Sequence, residues 1–157
     1  NKKKFKKKFR RMKKISKNLK DTKEIAENFL SSILKQVGGK ARVVGLYGDL
    51  GAGKTAFTQA LAKHLGVKNK VVSPTFVIMK SYQLSAFRFQ KLIHIDAYRL
   101  EKGEELVKLG WAEIISDPEN LVLIEWPEIV SDVMPKNHDK IKIKHIDETS
   151  REFDICL

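Results

Sequence analysis

The spacing of apolar residues changes period several times along the chain, and each change marks an element. Ile25, Phe29, Ile33, Leu34 and Val37 recur at helical spacing. Asp21 or Thr22 can cap that helix and Gly38-Gly39 can end it, which predicts an amphipathic first helix. Residues 41–47 then form a short apolar run read as a strand, residues 48–54 a glycine-rich loop, and residues 55–65 a helix stopped at Gly66. Residues 77–82 and 92–96 read as strands, 101–109 as a short helix, and 121–125 as a strand closed by Pro127. Late in the chain, 141–146 alternates apolar with basic or polar residues, and Phe153, Ile155 and Leu157 alternate likewise. Both late segments are expected to be half-buried, antiparallel strands. The expected fold is one α/β domain, with a mixed, mainly parallel central sheet flanked by helices and finished by late antiparallel strands.

Composition narrows the setting. A chain of 157 residues with 42% hydrophobic content suits one domain with a sizeable core. No apolar run approaches the roughly 20 residues that span a bilayer. The single cysteine, Cys156, has no partner, which excludes a disulfide framework and fits a reducing, cytoplasmic setting. The net charge of +12 is localised: residues 1–17 hold eleven Lys or Arg and no acid, leaving +1 for residues 18–157. The expectation is a flexible basic arm at 1–17 ahead of a domain at 18–157, since blocks of like charge repel and resist folding. Phe5 and Phe9 interleave with the lysines and suit weak, unselective contact with a polyanion such as tRNA or anionic lipid. Met12 ahead of Lys13-Lys14-Ile15 has the character of a start site, which would make residues 1–11 an upstream extension.

The chemistry concentrates in one loop. Gly48-Asp49-Leu50-Gly51-Ala52-Gly53-Lys54-Thr55 satisfies G-x-x-x-x-G-K-[ST] at every fixed position, between a predicted strand and a predicted helix. Glycines let backbone N–H groups converge on phosphate oxygens and the following helix offers its positive end. Lys54 would place a cation on the β and γ phosphates and Thr55 a hydroxyl on Mg²⁺. The loop therefore predicts binding of ATP, or secondarily GTP, with Mg²⁺.

Hydrolysis also needs an acid near the metal. Two apolar strands end in one, at Asp96 and at Glu125, and either suits the role. Ser73-Pro74-Thr75-Phe76 is either a proline turn or a segment in which Thr75 senses the γ-phosphate. Arg99 is read as a surface ion pair or a γ-phosphate contact. His94 is next to the end of an acid-tipped strand and is assigned a structural or supporting role. His64, His138 and His145 lack ligand spacing and are assigned no site.

The ordered set Gly48 to Thr55, Ser73-Pro74-Thr75-Phe76, His94-Ile95-Asp96-Ala97-Tyr98-Arg99, Gly110-Trp111 and Glu125-Trp126-Pro127 resembles the TsaE family, also called YjeE, over about residues 18–157. The resemblance implies an ATPase that works with the proteins TsaD and TsaB to install threonylcarbamoyl on adenosine 37 of tRNAs reading codons that begin with A, without transferring the group itself. It also implies site roles by position. Gly48, Gly51, Ala52, Gly53, Lys54, Thr55 and Ala56 lie along the ATP phosphates, and Thr22 and Arg151 lie near the nucleotide. Thr55 and Glu125 hold Mg²⁺, while Lys54, Asp96 and Glu125 serve hydrolysis. Trp126 would lie beside the nucleotide or the partner surface, and Thr75 and Arg99, read from the residues above, join it as candidate switch or partner contacts. Ala56 departs from the hydroxyl residue common in the family, which removes an α-phosphate side-chain contact but not the backbone N–H. The basic arm is a second departure. Two other readings share the loop: a small-molecule or nucleoside kinase, which needs an acceptor pocket, and a nucleotide-switched module whose arm binds tRNA.

Overall fold

The apolar runs that end in Tyr47, Asp96 and Glu125 form the centre of a seven-stranded sheet in a computed structural model that describes residues 10–85 and 87–157. The strands are β1 (Arg11–Ser16), β2 (Arg42–Tyr47), β3 (Met79–Gln83), β4 (Lys91–Asp96), β5 (Asn120–Glu125), β6 (Asp139–His145) and β7 (Arg151–Cys156). The helices are α1 (Leu19–Leu34), α2 (Lys54–His64), α3 (Gly103–Val107) and α4 (Trp111–Ser116), with a 3-10 turn at Pro127–Val130. Sheet order is β1-β7-β6-β2-β5-β4-β3. The inner strands β6, β2, β5 and β4 run parallel, and antiparallel partners close both flanks: β3 beside β4, and β7 between β6 and β1. The fold class expected from the sequence is the one found.

The central strands are buried on both faces, as parallel strands covered by helices must be. On one face α1 and α2 pack over Val44, Leu46, Leu92, Leu121, Leu123, Ile141 and Ile143. On the other, α3, α4 and the 3-10 turn cover Val43, Ile93, Ile95, Val122 and Ile124, with Trp111 seated at their centre. Trp111 can be buried there because its Nε1–H donates to the Val133 carbonyl at 2.9 Å. Phe57 of α2 ties the first layer together, its ring 5.8 Å from Phe29 of α1 and 5.8 Å from Phe153 of β7. Among the described residues no helix is long and apolar enough to cross a membrane.

Five expectations are corrected. Residues 11–16 belong to the sheet rather than to a solvated arm: β1 pairs antiparallel with β7, Arg11 forms an ion pair with Asp154 at 2.6 Å, and Lys13 lies 3.4 Å from Glu152. The like-charge block is tolerated because its partner strand supplies the carboxylates. Residues 1–9 of the expected arm lie outside the described residues. Helix α1 starts at an Asn18 cap, not at Asp21 or Thr22: Asn18 Oδ1 accepts from the Asp21 N–H at 2.8 Å, and Asp21 reaches back to the Lys17 N–H at 2.9 Å. The helix also stops at Leu34, which leaves Val37 exposed. The segment expected as one helix at 101–109 is the shorter α3, and α4 follows it after Gly110, whose φ of 89° breaks the run. The strand expected from residue 77 begins at Met79, because Pro74 opens a turn that lasts through Ile78.

Replacing Phe57 with Ala empties a site shared by two helices and the sheet. A loss of about 3–5 kcal/mol in unfolding free energy is expected by urea denaturation; a loss below about 1 kcal/mol would remove Phe57 from this role.

Candidate functional site

Parallel strands in register deliver their C-terminal residues to one edge of a sheet, and there the chemistry collects. Asp96 pairs with Glu125 across β4 and β5, and Glu125 pairs with Leu46 across β5 and β2. The loop at 48–53 leaves β2 at this edge and enters α2 at Lys54. Its turn requires glycine twice over. Gly48 has φ 155° and a Cβ there would stand 2.6 Å from the Ile143 carbonyl oxygen, which is backbone and cannot yield. Gly53 caps α2 in the left-handed region at φ 108°. A cleft of about 230 Å³ opens over the loop, lined by Gly51, Ala52, Gly53, Lys54, Thr55 and Ala56 below and by Thr75, Asp96, Glu125 and Trp126 beside it.

Lys54 is 5% exposed. Its ammonium donates to the Gly48 carbonyl and to the Asp49 carbonyl at 3.3 Å, and it lies 3.8 Å from the centre of the Trp126 ring. Burial pushes its pKa below the usual lysine value, opposed in part by the negative field of Glu125, Glu128, Asp96 and Asp49. A buried cation that lacks a direct carboxylate partner at contact distance is suited to receive an anion. Trp126 holds its place in a left-handed conformation at φ 56°, a strained choice for a non-glycine residue, with Tyr98 packed against it at 5.3 Å.

The two strand-end acids have separate surroundings. Glu125 Oε1 accepts from the Thr55 hydroxyl at 3.4 Å, while Oε2 lies 2.8 Å from His94 Nε2, which faces the carboxylate and is assigned the proton. His94 is fully buried, and its Nδ1 meets no hydrogen-bond partner among the described residues. Asp96 is bound instead by the turn: Thr75 Oγ1 donates to Oδ2 at 2.8 Å, Ser73 Oγ donates to the same oxygen at 3.3 Å, and the Tyr98 N–H donates to Oδ1 at 3.0 Å. Thr55 and Glu125 together form the pair suited to a hard divalent cation. No group of three or more His, Cys, Asp or Glu able to hold a metal occurs among the described residues. That donor set fits Mg²⁺, which takes one or two protein ligands and completes its shell with water and substrate phosphates.

Beside the loop lies a second cavity of about 370 Å³, which shares Gly53 and Ala56 with the cleft and adds Thr22, Arg151, Ser16, Asn18 and Phe153. Thr22 and Arg151, 129 positions apart in sequence, thus meet at the loop. The Thr22 hydroxyl bonds Ser16 Oγ at 2.7 Å, and Arg151 donates to the Asp147 carbonyl at 2.7 Å. Arg99 stands apart from the other candidates. Among the described residues Arg99 enters no ion pair, and its guanidinium lies over the exposed Phe76 ring at 4.3 Å. Sequence reasoning assigned nothing to Ser73, to the Tyr98 N–H or to the Tyr47–His138 pair. Tyr47 precedes the loop, and its hydroxyl lies 2.7 Å from His138 Nε2, while His138 Nδ1 lies 2.6 Å from the Pro135 carbonyl. The carbonyl requires the proton on Nδ1, so Nε2 accepts from Tyr47. Only Gly45 leaves room for this packing, since a Cβ there would meet the Tyr47 ring at 2.8 Å.

Comparison with known proteins follows the same geometry. The family model described as Threonylcarbamoyl adenosine biosynthesis protein TsaE matches residues 16–153. A Rickettsia bellii protein named tRNA threonylcarbamoyladenosine biosynthesis protein TsaE is 34% identical over 132 residues, covering 83% of this chain and 85% of its own. A Rickettsia felis protein of the same name is 36% identical over 103 residues, covering 65% of this chain and 56% of its own. The chain spans about half to three-fifths of the length of most of the curated relatives it matches. A crystal structure of Bacillus subtilis YdiB superposes with a TM-score of 0.71 at 29% identity, covering 94% of this chain and 86% of that one.

The Tyr47–His138 contact predicts a pH dependence. Burial pushes the His138 pKa below its usual value. The neutral ring therefore contributes stability that is present above the unfolded pKa of about 6.5 and is lost as pH falls through the lower folded value. Unfolding free energy of the wild type should fall more than that of His138→Gln between about pH 7 and about pH 5, by urea denaturation; parallel curves would refute the assignment.

Proposed function

The chain belongs to the TsaE family, and from that premise we propose that it is a Mg²⁺-dependent ATPase subunit of tRNA threonylcarbamoyladenosine synthesis, acting on adenosine 37 of tRNAs that read A-starting codons together with TsaD and TsaB. The observation that carries this reading is the convergence of Lys54, Thr55, Glu125 and a separately held Asp96 at the C-terminal edge of three parallel strands. Binding alone would not require the second acid.

The residues divide the work by position. Backbone N–H groups from Gly51 to Ala56 and the start of α2 receive the phosphates. Lys54, already desolvated, supplies a cation to the β and γ oxygens, and anion binding offsets the burial that depresses its pKa. Thr55 and Glu125 would hold Mg²⁺, whose charge, when bound, would stabilise that developing on phosphate oxygens. His94 keeps one Glu125 oxygen occupied and so turns the other toward Thr55. Asp96, held by two hydroxyls and a backbone N–H, orients the attacking water. The cavity with Thr22 and Arg151 takes the nucleoside, and the absence of a hydroxyl at Ala56 leaves the α-phosphate to the backbone N–H. Thr75 reports the γ-phosphate through its bond to Asp96, while Trp126 and Arg99 face the partners. Contact with tRNA is indirect through those partners, or weak through the basic N-terminal residues, in a cytoplasmic setting.

ATP turnover measured with and without TsaD and TsaB tests the reading. Glu125→Ala and Asp96→Ala should each lose about 10²-fold or more in kcat. Turnover that ignores both substitutions and both partners would overturn it, and transfer of phosphate to a small-molecule acceptor in place of release would favour a kinase. A separate readout addresses His94: the Mg²⁺ needed for half-maximal nucleotide binding should rise about 10–100-fold in His94→Ala and less in His94→Gln, which keeps an N–H donor. Unchanged Mg²⁺ dependence in both variants would reduce His94 to a packing residue.

A further inference from the structure

One flank of the sheet has helices on one face only. Over β6, β7 and β1 the apolar side chains Ile141, Ile143, Phe153, Ile155 and Met12 point toward α1 and α2. Among the described residues the opposite face carries no helix, and the pleat places charged residues there in rows. Register aligns Lys140, Cys156 and Arg11 in one row, Lys142, Asp154 and Lys13 in the next, and Lys144, Glu152 and Ile15 in the third. That face holds five cations against two carboxylates, a surplus of three.

The surplus is concentrated on β6. Asp154 and Glu152 are taken up by Arg11 at 2.6 Å and Lys13 at 3.4 Å, which neutralises the middle strand. Lys140, Lys142 and Lys144 are exposed and enter no ion pair among the described residues. They recur at every second residue, about 6.8 Å apart, as a straight line of flexible ammonium groups. Arg10 precedes β1, and residues 1–9 add six lysines in sequence.

We propose that this open face of β6-β7-β1 binds the phosphate backbone of an RNA, with Lys140, Lys142 and Lys144 as its principal contacts. Lysines in a line are point charges that follow a phosphate chain without reading bases. A lipid surface fits less well, because among the described residues Ile15 is the only large apolar side chain on the face and no aromatic accompanies it to insert beneath the headgroups. A protein partner would need an apolar centre, which the rows do not contain. The site is separate from the nucleotide cleft, so it stands whether or not the ATPase reading does.

The test titrates the full chain against an unmodified tRNA transcript by fluorescence anisotropy over a range of salt concentrations. The variants are Lys140→Gln/Lys142→Gln/Lys144→Gln and the corresponding triple Lys→Arg, with ATP turnover measured alongside. The Gln variant should weaken binding about 10-fold or more at low salt and reduce the slope of log K against log salt by about 2–3, with the Arg variant close to wild type. ATP turnover should match wild type in both, so loss of RNA binding and loss of the ATPase are read separately. Equal affinity and slope in the Gln variant and the wild type would overturn the proposal and assign any RNA contact elsewhere. So would binding of the wild type to phosphatidylserine-containing vesicles in preference to tRNA.

Discussion

The register between β2, β5 and β4 is the constraint on which the site depends. Because the three strands run parallel and in step, Leu46, Glu125 and Asp96 reach the same edge together. A shift of one residue in β5 would exchange its two faces and carry Glu125 away from Thr55. Such a shift is resisted by burial on both sides: every residue of β5 is buried, and its alternate side chains belong to two different apolar layers. The packing that stabilises the domain is therefore the same packing that places the carboxylates.

Register alone leaves Asp96 and Glu125 equivalent, and their neighbours separate them. Glu125 is fixed between a buried imidazole and the first-turn hydroxyl of α2. Asp96 is fixed by the Ser73–Thr75 turn and by the Tyr98 N–H, so that both its oxygens are engaged. An acid held by a buried ring moves little, whereas an acid held by an exposed turn shares the motion of that turn. Ser73, Phe76 and Val77 are exposed, which gives Asp96 and not Glu125 a direct link to the surface. Trp126 completes the division, because its left-handed backbone at the end of β5 lays the indole along Lys54.

The sequence showed the loop, the central strands and both acids, because each is a local signal: fixed glycines in one case, an apolar run ending in a charge in the others. The apolar runs alone left open which acid meets Thr55, which the family resemblance gave as Glu125; the contacts that separate the two acids, His94 with Glu125 and Thr75 with Asp96, leave no local signal. Thr22 and Arg151 came from the family resemblance, and the fold joins them through β7 and the start of α1. The helix cap was misplaced by three or four residues because Asn18, Asp21 and Thr22 are all competent caps, and the bonds from the Asp21 N–H to Asn18 and from the Lys17 N–H to Asp21 choose among them. The basic arm misled for a physical reason as well. A run of like charge argues against structure only when no opposite charge answers it, and Asp154 and Glu152 answer it from more than a hundred residues away.

Strand β6 connects the two surfaces that carry charge. At its end nearest the loop, the Ile143 carbonyl lies where a Cβ on Gly48 would stand, so the backbone of β6 defines how closely the phosphate loop packs. Lys142 and Lys144, on either side of Ile143, project to the opposite face. The alternation of a strand thus lets one segment support the 48–53 loop with its backbone and present cations elsewhere with its side chains. The arrangement keeps the lysine row out of the cleft that holds Lys54. Gly48 approaches β6 at the Ile143 main chain, on the side of the strand away from its exposed lysines.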